Sequence, residues 1–210
     1  AGFSVVTYTG TGVDATVGHG LGVAPSFILV KSRNVAINWQ NYHSSFGKDW
    51  TAQINTTNVW QNLSNYWYNG VTSSVFGVNG TYSGVNGSGN TYVAYCWSEI
   101  AGYSKVGSYT GNGSADGPFV YLGFKPKLIL IRAQVSAYDW DILDSSRNTF
   151  NVTNARLFPN LSNAESTSVS VCDFLSNGFK IRTTNPNENP GAAVYYIAFA
   201  ENPFKNSLAE

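Results

Sequence analysis

The sequence predicts an all-β protein made of two similar halves, and three observations support this prediction. No segment repeats its apolar residues with a sustained helical period, turn residues recur roughly every 8–12 residues, and one pattern of residues occurs twice. Short apolar or alternating runs between Gly, Pro and Asn residues are typical of antiparallel sheets that pack in two layers. We therefore predict an internally duplicated β-sandwich of the lectin or jelly-roll type.

The repeat sets the predicted domain organisation. The segment Leu21–Lys31 returns as Leu122–Arg132, so that residue 21 corresponds to residue 122. We predict copy 1 over residues 1–100 and copy 2 over residues 101–210. The few residues between them are not rich in Gly, Ser or Pro, which predicts that the copies pack closely about an approximate two-fold axis. The pattern leaves open whether the copies form two sandwiches or merge into one.

The strands of copy 1 are predicted from alternation and from turn residues. Phe3–Thr9 alternates between apolar and polar residues, and Ser26–Lys31 is an apolar run that begins after a proline. Asn79-Gly80 and Asn86-Gly87 favour hairpins, because both residue types accept the positive φ angles of a type I′ turn. The predicted strands are Phe3–Thr9, Ser26–Lys31, Asn38–His43, Thr51–Asn55, Ser73–Val78 and Thr91–Ser98.

Copy 2 repeats this series of strands in the same order. Asn177-Gly178 again predicts a turn. Ala193–Ala200, like Thr91–Ser98 in copy 1, is a long apolar run that we place in the middle of a sheet. The predicted strands are Lys105–Thr110, Lys127–Arg132, Asp139–Leu143, Ser168–Phe174, Phe179–Thr183 and Ala193–Ala200.

Composition and charge narrow the classes of function. Twelve Lys and Arg residues balance 12 Asp and Glu residues, and charged residues make up only 11% of the chain. No basic run is present, so we predict no nucleic-acid partner, and no apolar run is long enough for membrane insertion. A neutral chain with 15% aromatic residues and many amides favours an uncharged polar ligand such as a sugar, or an aromatic protein interface.

Residues suited to catalysis or metal binding are sparse, and we predict no enzyme, no cofactor and no metal site. His19 lies between two glycines at a turn, and no Gly-x-Ser-x-Gly elbow is present. Glu99 and Glu201 are the best carboxylate pair for glycoside hydrolysis. They occupy the same position in the two copies, which favours a structural role for both.

The two cysteines and the densest acidic group also favour structural roles. Cys96 and Cys172 lie in apolar runs and have no cysteine counterpart in the other copy, so we predict buried free thiols. Asp139, Asp141 and Asp144 lack the spacing and the glycine of an EF-hand loop for Ca²⁺.

The candidate binding residues are aromatic and belong to copy 1. Trp60, Tyr66, Trp67 and Tyr68 form a cluster that copy 2 lacks, and Asn65 lies beside it in the sequence. Sugar rings stack their C–H faces on aromatic rings while amides bind their hydroxyls, so this group predicts a carbohydrate-binding site. The alternative is that these aromatic rings form the core or a subunit interface.

Three other positions differ between the copies. His43 follows the Trp39 strand and is replaced by Asp144 in copy 2, so we retain it as a candidate ligand contact. The loop tips Gly84–Asn90 and Asn185–Pro190 also differ, and surface loops commonly carry specificity.

Four stretches carry a resemblance to a known family. They are Gly18-His-Gly-Leu-Gly22, Pro25-Ser-Phe-Ile-Leu-Val-Lys31, Asn86-Gly-Ser-Gly-Asn-Thr-Tyr-Val-Ala-Tyr-Cys-Trp-Ser-Glu-Ile-Ala-Gly-Tyr-Ser-Lys105 and Ser108-Tyr-Thr-Gly-Asn-Gly-Ser-Ala-Asp-Gly-Pro-Phe-Val-Tyr121. These resemble uncharacterised duplicated domains of tail-fibre-like structural proteins in bacteriophages, especially phages of marine and aquatic bacteria. Nearly the whole chain shares the resemblance.

The resemblance implies a virion appendage protein that attaches to a host-surface glycan or protein. It also implies a homotrimer, as tail fibres are, that contacts other virion proteins. It supplies no catalytic or binding residues. Two alternatives stay open, namely a structural fibre or capsid-decoration module without a receptor, and a polysaccharide depolymerase. Because the chain begins at Ala1 rather than Met and shows no signal peptide, we expect a piece of a longer chain or a processed product.

Overall fold

A computed structural model describes residues 2–135 and 137–202, and strands dominate it. The predicted all-β class is confirmed, since the described residues form fifteen strands and one helix of four residues. The chain divides into two compact units, of which unit 1 is Ala1–Glu99 and unit 2 begins at Ile100. No helix among the described residues is long and apolar enough to cross a membrane.

Unit 1 contains a larger and a smaller antiparallel sheet. Its elements are β1 (Phe3–Thr9), β2 (Ala15–Gly18), β3 (Phe27–Ser32), β4 (Gln40–His43), β5 (Trp50–Gln53), β6 (Gln61–Asn62), β7 (Val75–Val78), α1 (Ser83–Asn86) and β8 (Thr91–Trp97). The larger sheet has the order β1-β8-β3-β4-β5-β6, and β2 pairs with β7 in the smaller one.

The core of unit 1 lies between these two sheets. Alternation along β8 turns Tyr92, Ala94 and Cys96 inward, opposite Phe76 and Val78 of β7. Cys96 is a buried free thiol, as predicted. The buried cluster consists of Ile28, Val30, Tyr42, Tyr66, Trp67, Phe76, Val78, Val85, Tyr92, Ala94 and Cys96.

Unit 2 also contains two antiparallel sheets. Its strands are β9 (Ser104–Thr110), β10 (Phe119–Tyr121), β11 (Pro126–Ala133), β12 (Asp141–Asp144), β13 (Cys172–Leu175), β14 (Gly178–Ile181) and β15 (Ala193–Ala200). The sheets have the orders β12-β11-β15-β9 and β10-β14-β13. Ile129, Val194 and Tyr196 of the first sheet pack with Phe174 and Phe179 of the second, and Cys172 is a buried free thiol in the same core.

The larger sheets of the two units share a strand order. The order β1-β8-β3-β4 in unit 1 matches β9-β15-β11-β12 in unit 2. In both units the first strand along the chain pairs with the last one, which is the second strand in these orders. Because the strand orders are the same, a residue of one unit can be compared with the residue at the same strand position in the other unit. That the units arose by duplication stays a prediction.

Trp39 and Trp140 directly precede β4 and β12, the matching strands. The backbone N–H of Trp39 donates to Asn55 Oδ1 and that of Trp140 to Asn160 Oδ1, both at 2.9 Å. The two indoles are not equally buried, because Trp140 is 2% exposed while Trp39 is only partly buried. The two tryptophans thus share a backbone hydrogen bond to an asparagine side chain but differ in burial.

The predicted type I′ hairpins of copy 1 are absent. Neither Gly80 nor Gly87 has a positive φ, and Asn86-Gly87 lies at the end of α1. Gly80 is instead needed because a Cβ atom there would collide with the backbone of Val13. In unit 2, the β13–β14 hairpin turns at Ser176-Asn177, one residue before the predicted pair.

Candidate functional site

The aromatic cluster predicted to stack on sugars lies mostly inside unit 1. Trp67 is fully buried, and its Nε1 donates to the Trp50 carbonyl at 3.0 Å. Tyr66 and Trp60 are also buried, at 3% and 5% exposed. A sugar can stack only on a ring face that solvent reaches. The prediction of an exposed stacking surface is therefore wrong for Trp60, Tyr66 and Trp67.

Asn65 and Tyr68 are partly exposed. Asn65 has a φ of 56°, its N–H donates to Asp49 Oδ1 at 2.7 Å, and its Oδ1 accepts from the Asn69 N–H at 3.1 Å. These bonds assign Asn65 to a left-handed turn, a conformation that asparagine tolerates better than most residues. The Tyr68 carbonyl passes so close to Gly77 that no side chain would fit at residue 77.

His43 is enclosed by other rings rather than open to a ligand. It is 2% exposed, its Nδ1 accepts from the Ser45 N–H at 3.3 Å, and its ring meets Phe46 and Trp60 edge-on at 6.2 Å each. Phe46 stacks on Trp60 with ring centroids 4.0 Å apart. The predicted ligand contact at His43 is therefore wrong, because this packing leaves no approach from solvent.

His19, Glu99 and Glu201, which were weighed for catalysis, are not among the lining residues of the two cavities described below. His19 is buried, with Nε2 3.0 Å from the Thr72 carbonyl and Nδ1 accepting from the Leu21 N–H at 3.2 Å, which gives it a structural role. Glu201 binds Lys125 at 2.7 Å. Across residues 2–135 and 137–202, no group of three or more His, Cys, Asp and Glu side chains could hold a metal ion.

A cleft of about 280 Å³ opens in unit 1 between α1 and the strands β4 to β6, and we call it the unit 1 cleft. Every polar side chain lining it ends in an amide or a hydroxyl, and none is charged. The ring of Tyr82 lies 4.7 Å from that of Tyr66 at the cleft wall. The lining residues are Ile37, Gln40, Gln53, Gln61, Leu63, Tyr66, Thr81, Tyr82, Ser83 and Gly84.

The floor of the unit 1 cleft is shaped by Gly84 and Gln40. A Cβ atom at Gly84 would lie 2.8 Å from Tyr66 Oη and 3.2 Å from Gln40 Cδ, so a side chain at residue 84 would press on both and narrow the floor. Gln40 Nε2 donates to the Asn38 carbonyl at 3.2 Å, and its Oε1 accepts from Thr51 Oγ1 at 3.5 Å. Burial raises the pKa of Tyr66, which therefore presents a neutral hydroxyl. The cleft is built to hydrogen-bond hydroxyls and amides rather than ions.

Unit 2 holds a buried ionic cluster that consists of Asp141, Arg156 and Glu188. Arg156 Nη1 lies 2.6 Å from Glu188 Oε1 and 3.7 Å from Asp141 Oδ1, and no side chain of the three is more than 7% exposed. Burial, followed by the neighbouring Glu188 carboxylate, raises the pKa of Asp141 to about 9. Asp141 is therefore protonated at neutral pH, so that one negative charge, on Glu188, lies beside one guanidinium.

This cluster corresponds in position to the floor of the unit 1 cleft. Asp141 begins β12 as Gln40 begins β4. The hydroxyl of Tyr109 donates to the Glu188 carbonyl at 2.6 Å, just as that of Tyr8 donates to the Val85 carbonyl at 2.7 Å. Sequence reasoning singled out Asp141 but missed its two partners. The signal for Glu188 was available, since a charged residue stands where unit 1 has a buried valine.

The comparisons with known proteins identify a family without a described function. No curated protein matches the sequence. Among solved structures, "Crystal Structure of the STIV MCP" aligns over 100% of both chains with 9% identity, but a TM-score of 0.29 is too low to establish a common fold. One family profile matches residues 1–203. On that match the chain belongs to the family described as a domain of unknown function, DUF7483.

Proposed function

We propose that the chain is a non-enzymatic domain of a virion appendage that binds a neutral host-surface glycan in the unit 1 cleft. The observation that carries this proposal is the cleft lining, in which amides, hydroxyls and tyrosine rings converge without a charged side chain. Protein sites for uncharged polar ligands combine apolar ring surface with a few placed polar groups. The virion context rests on the resemblance to tail-fibre-like proteins.

The binding mode follows from the two kinds of side chain in the cleft. The Tyr82 ring offers a face for the apolar side of a pyranose, worth about 0.5–1.5 kcal/mol beyond its buried area. Gln61 and Thr81 are exposed at the rim, where their amide and hydroxyl groups meet sugar hydroxyls. Each net hydrogen bond contributes about 0.5–1.5 kcal/mol, so a single cleft binds weakly. A homotrimer, as proposed for tail fibres, would supply avidity.

A Tyr82→Ala variant tests the proposal on an array of neutral and acidic glycans. We expect the parent chain to bind a neutral glycan, and the variant to bind it about tenfold more weakly. Tyr121→Ala is the matched control, because Tyr121 is 60% exposed and belongs to unit 2. Circular dichroism confirms that each variant is folded. Unchanged binding by a folded Tyr82→Ala variant would remove the cleft from consideration.

Salt gives a second test of the same site. With no charged side chain at the cleft, the dissociation constant should change less than about twofold between roughly 0.05 and 0.5 M NaCl, since screening acts on charges. A steep loss of affinity with salt would point to an ionic ligand and contradict the proposal.

A purely structural role in the virion is the second candidate. Phe3 and Val5 on the outward face of β1 are 46% and 51% exposed, and Phe3 packs against Trp97 at 4.9 Å. Exposed apolar side chains on one strand favour contact with another protein. Light scattering on the purified chain separates the two candidates in part. A trimer with no glycan binding on the array would favour the structural role.

A further inference from the structure

We propose that unit 2 carries a second saccharide-binding site, in a pocket beside Phe150, and that it binds neutral pyranose rings. We call it the Phe150 pocket. Its volume is about 200 Å³, and its lining differs entirely from that of the unit 1 cleft. The proposal therefore does not depend on the function proposed for unit 1. The lining residues are Lys125, Ser145, Asn148, Thr149, Phe150, Asn151 and Phe174.

Phe150 is the first observation. Its side chain is 85% exposed, more than any other large apolar residue in the described part of the chain. Burying such a ring would stabilise the protein, and the exposed position of Phe150 does without that stabilisation. Exposure of one apolar residue is common and carries no conclusion alone. What distinguishes Phe150 is the way its loop is held.

The loop carrying Phe150 is fixed on both sides by asparagine side chains. Asn148 Oδ1 accepts from the N–H groups of Asn154 and Ala155 at 3.0 and 2.7 Å. Asn151 donates to the Phe174 carbonyl at 3.0 Å and accepts from the Phe174 N–H at 2.9 Å. The backbone on both sides of Phe150 is thus held in place before any ligand arrives. Such preorganisation lowers the ordering cost of binding.

The polar groups of the pocket suit a neutral ligand. Lys125 is paired with Glu201 at 2.7 Å, so the rim offers a donor and an acceptor side by side with no net charge. Thr149 adds an exposed hydroxyl. Ser145 lines the pocket as well, and its enclosed Oγ has no hydrogen-bond partner among the described residues. A pyranose would place its C–H face on Phe150 and its hydroxyls toward Lys125 and Thr149.

Nuclear magnetic resonance on the 210-residue chain tests the site directly. The probes are the methyl glycosides of glucose, galactose and mannose, N-acetylglucosamine and methyl glucuronide, each titrated to about 50 mM, above the millimolar dissociation constant expected for one ring. We expect at least one neutral probe to shift the backbone amides of residues 148–151. We expect the acidic glucuronide to bind more weakly than the matching glucoside.

Two variants separate the two sites. Phe150→Ala should weaken the response of residues 148–151 at least about tenfold, and Tyr82→Ala should leave it unchanged. If probes shift only the amides of the unit 1 cleft, the Phe150 site is wrong and the proposed function stands. If they shift only residues 148–151, the reverse holds. Tighter binding of the glucuronide, or a full response in Phe150→Ala, would also overturn this inference.

Discussion

The loop after β4 in unit 1 and the loop after β12 in unit 2 each begin with an equivalent backbone hydrogen bond. Their side chains differ, because aromatic rings stabilise the first loop and ion pairs stabilise the second. The Ser44 N–H donates to the Ser26 carbonyl, and the Ser145 N–H donates to the Lys127 carbonyl, both at 2.9 Å. The residues that follow this hydrogen bond pack through stacked rings in unit 1 and form ion pairs in unit 2.

The side chains make the contrast concrete. In unit 1, Phe46 stacks on Trp60 at 4.0 Å. In unit 2, Arg147 binds Asp144 at 2.6 Å and Glu165 at 2.9 Å. A residue that only one unit possesses therefore need not be functional, because each unit stabilises the same loop in its own way. Trp60 and His43 differ between the units for reasons of packing.

The same contrast holds at the cleft floor. Gln40 borders an open cleft in unit 1, whereas the matching Asp141 is buried with Arg156 and Glu188 in unit 2. The neutral amide of Gln40 is hydrogen-bonded to the Asn38 carbonyl and to Thr51 Oγ1, so it can border a solvent-filled cleft. Buried charges must have partners, so unit 2 closes the space around them.

Removing Arg156 should produce the largest effect on this comparison. An Arg156→Met variant leaves Glu188 and Asp141 buried without a cation, which should lower the free energy of unfolding by about 3–5 kcal/mol. Arg182→Met is the control, because Arg182 is 39% exposed and bound to Asp173, and should cost less than about 1 kcal/mol. Urea denaturation measures both. Equal losses of unfolding free energy in the two variants would mean that the buried cluster stabilises unit 2 no more than an exposed ion pair does.

Loss of the proton on Asp141 should make unit 2 less stable as the pH rises. The pKa of Asp141 is raised from 3.8 to about 9, so between these values the folded state holds a proton that the unfolded state has lost. The stabilisation is complete below pH 3.8 and is lost as the pH approaches 9, at up to about 1.4 kcal/mol per pH unit. The groups facing Asp141 are Glu188, Arg156, Asp139 and Tyr109.

Asp141→Asn isolates this effect. The amide has nearly the size and the zero charge of the protonated acid but cannot titrate, so the pH slope of the unfolding free energy between about pH 4 and 9 should flatten. Gln40→Glu is the complementary change in unit 1. Residue 40 is only 4% exposed and would face the Asn38 carbonyl without a donor, so the new carboxylate should make unit 1 less stable as the pH rises and it ionises. A slope that persists in Asp141→Asn would place the titrating group elsewhere.

The sequence predicts the strands of both units well, because regular alternation assigns residues to sheet faces. It does not predict the burial of Tyr66 and Trp67. These two residues lie outside the strands, and there no regular alternation of residues assigns a side chain to the core or to solvent. The pairing of Arg156 with Glu188 spans 32 residues and depends on tertiary contacts alone. The short strands β2 and β10 also escape prediction, because three or four residues carry too little pattern.

The glycines were misinterpreted for a related reason. Asn-Gly pairs predict hairpins by conformational freedom, but at Gly80 glycine is needed because the backbone of Val13 passes too close for a side chain. Neighbours in space cannot be read from a local motif. The unit 1 cleft, whose floor depends on Gly84, was invisible for the same reason.

Glu99 and Glu201 give the smallest expected effect. The sequence offered them as a possible catalytic pair. Glu201 forms an ion pair with Lys125, and the side chains of Lys125 and Glu201 are both partly exposed. A Glu99→Gln, Glu201→Gln double variant should lose less than about 1 kcal/mol of stability, as is usual for an exposed ion pair. Neither it nor the parent should release reducing ends from host polysaccharide, because we propose that the chain is not an enzyme. Release by the parent that disappears in the double variant would instead make the chain a depolymerase, and matching positions in the two units would then mark function rather than scaffold.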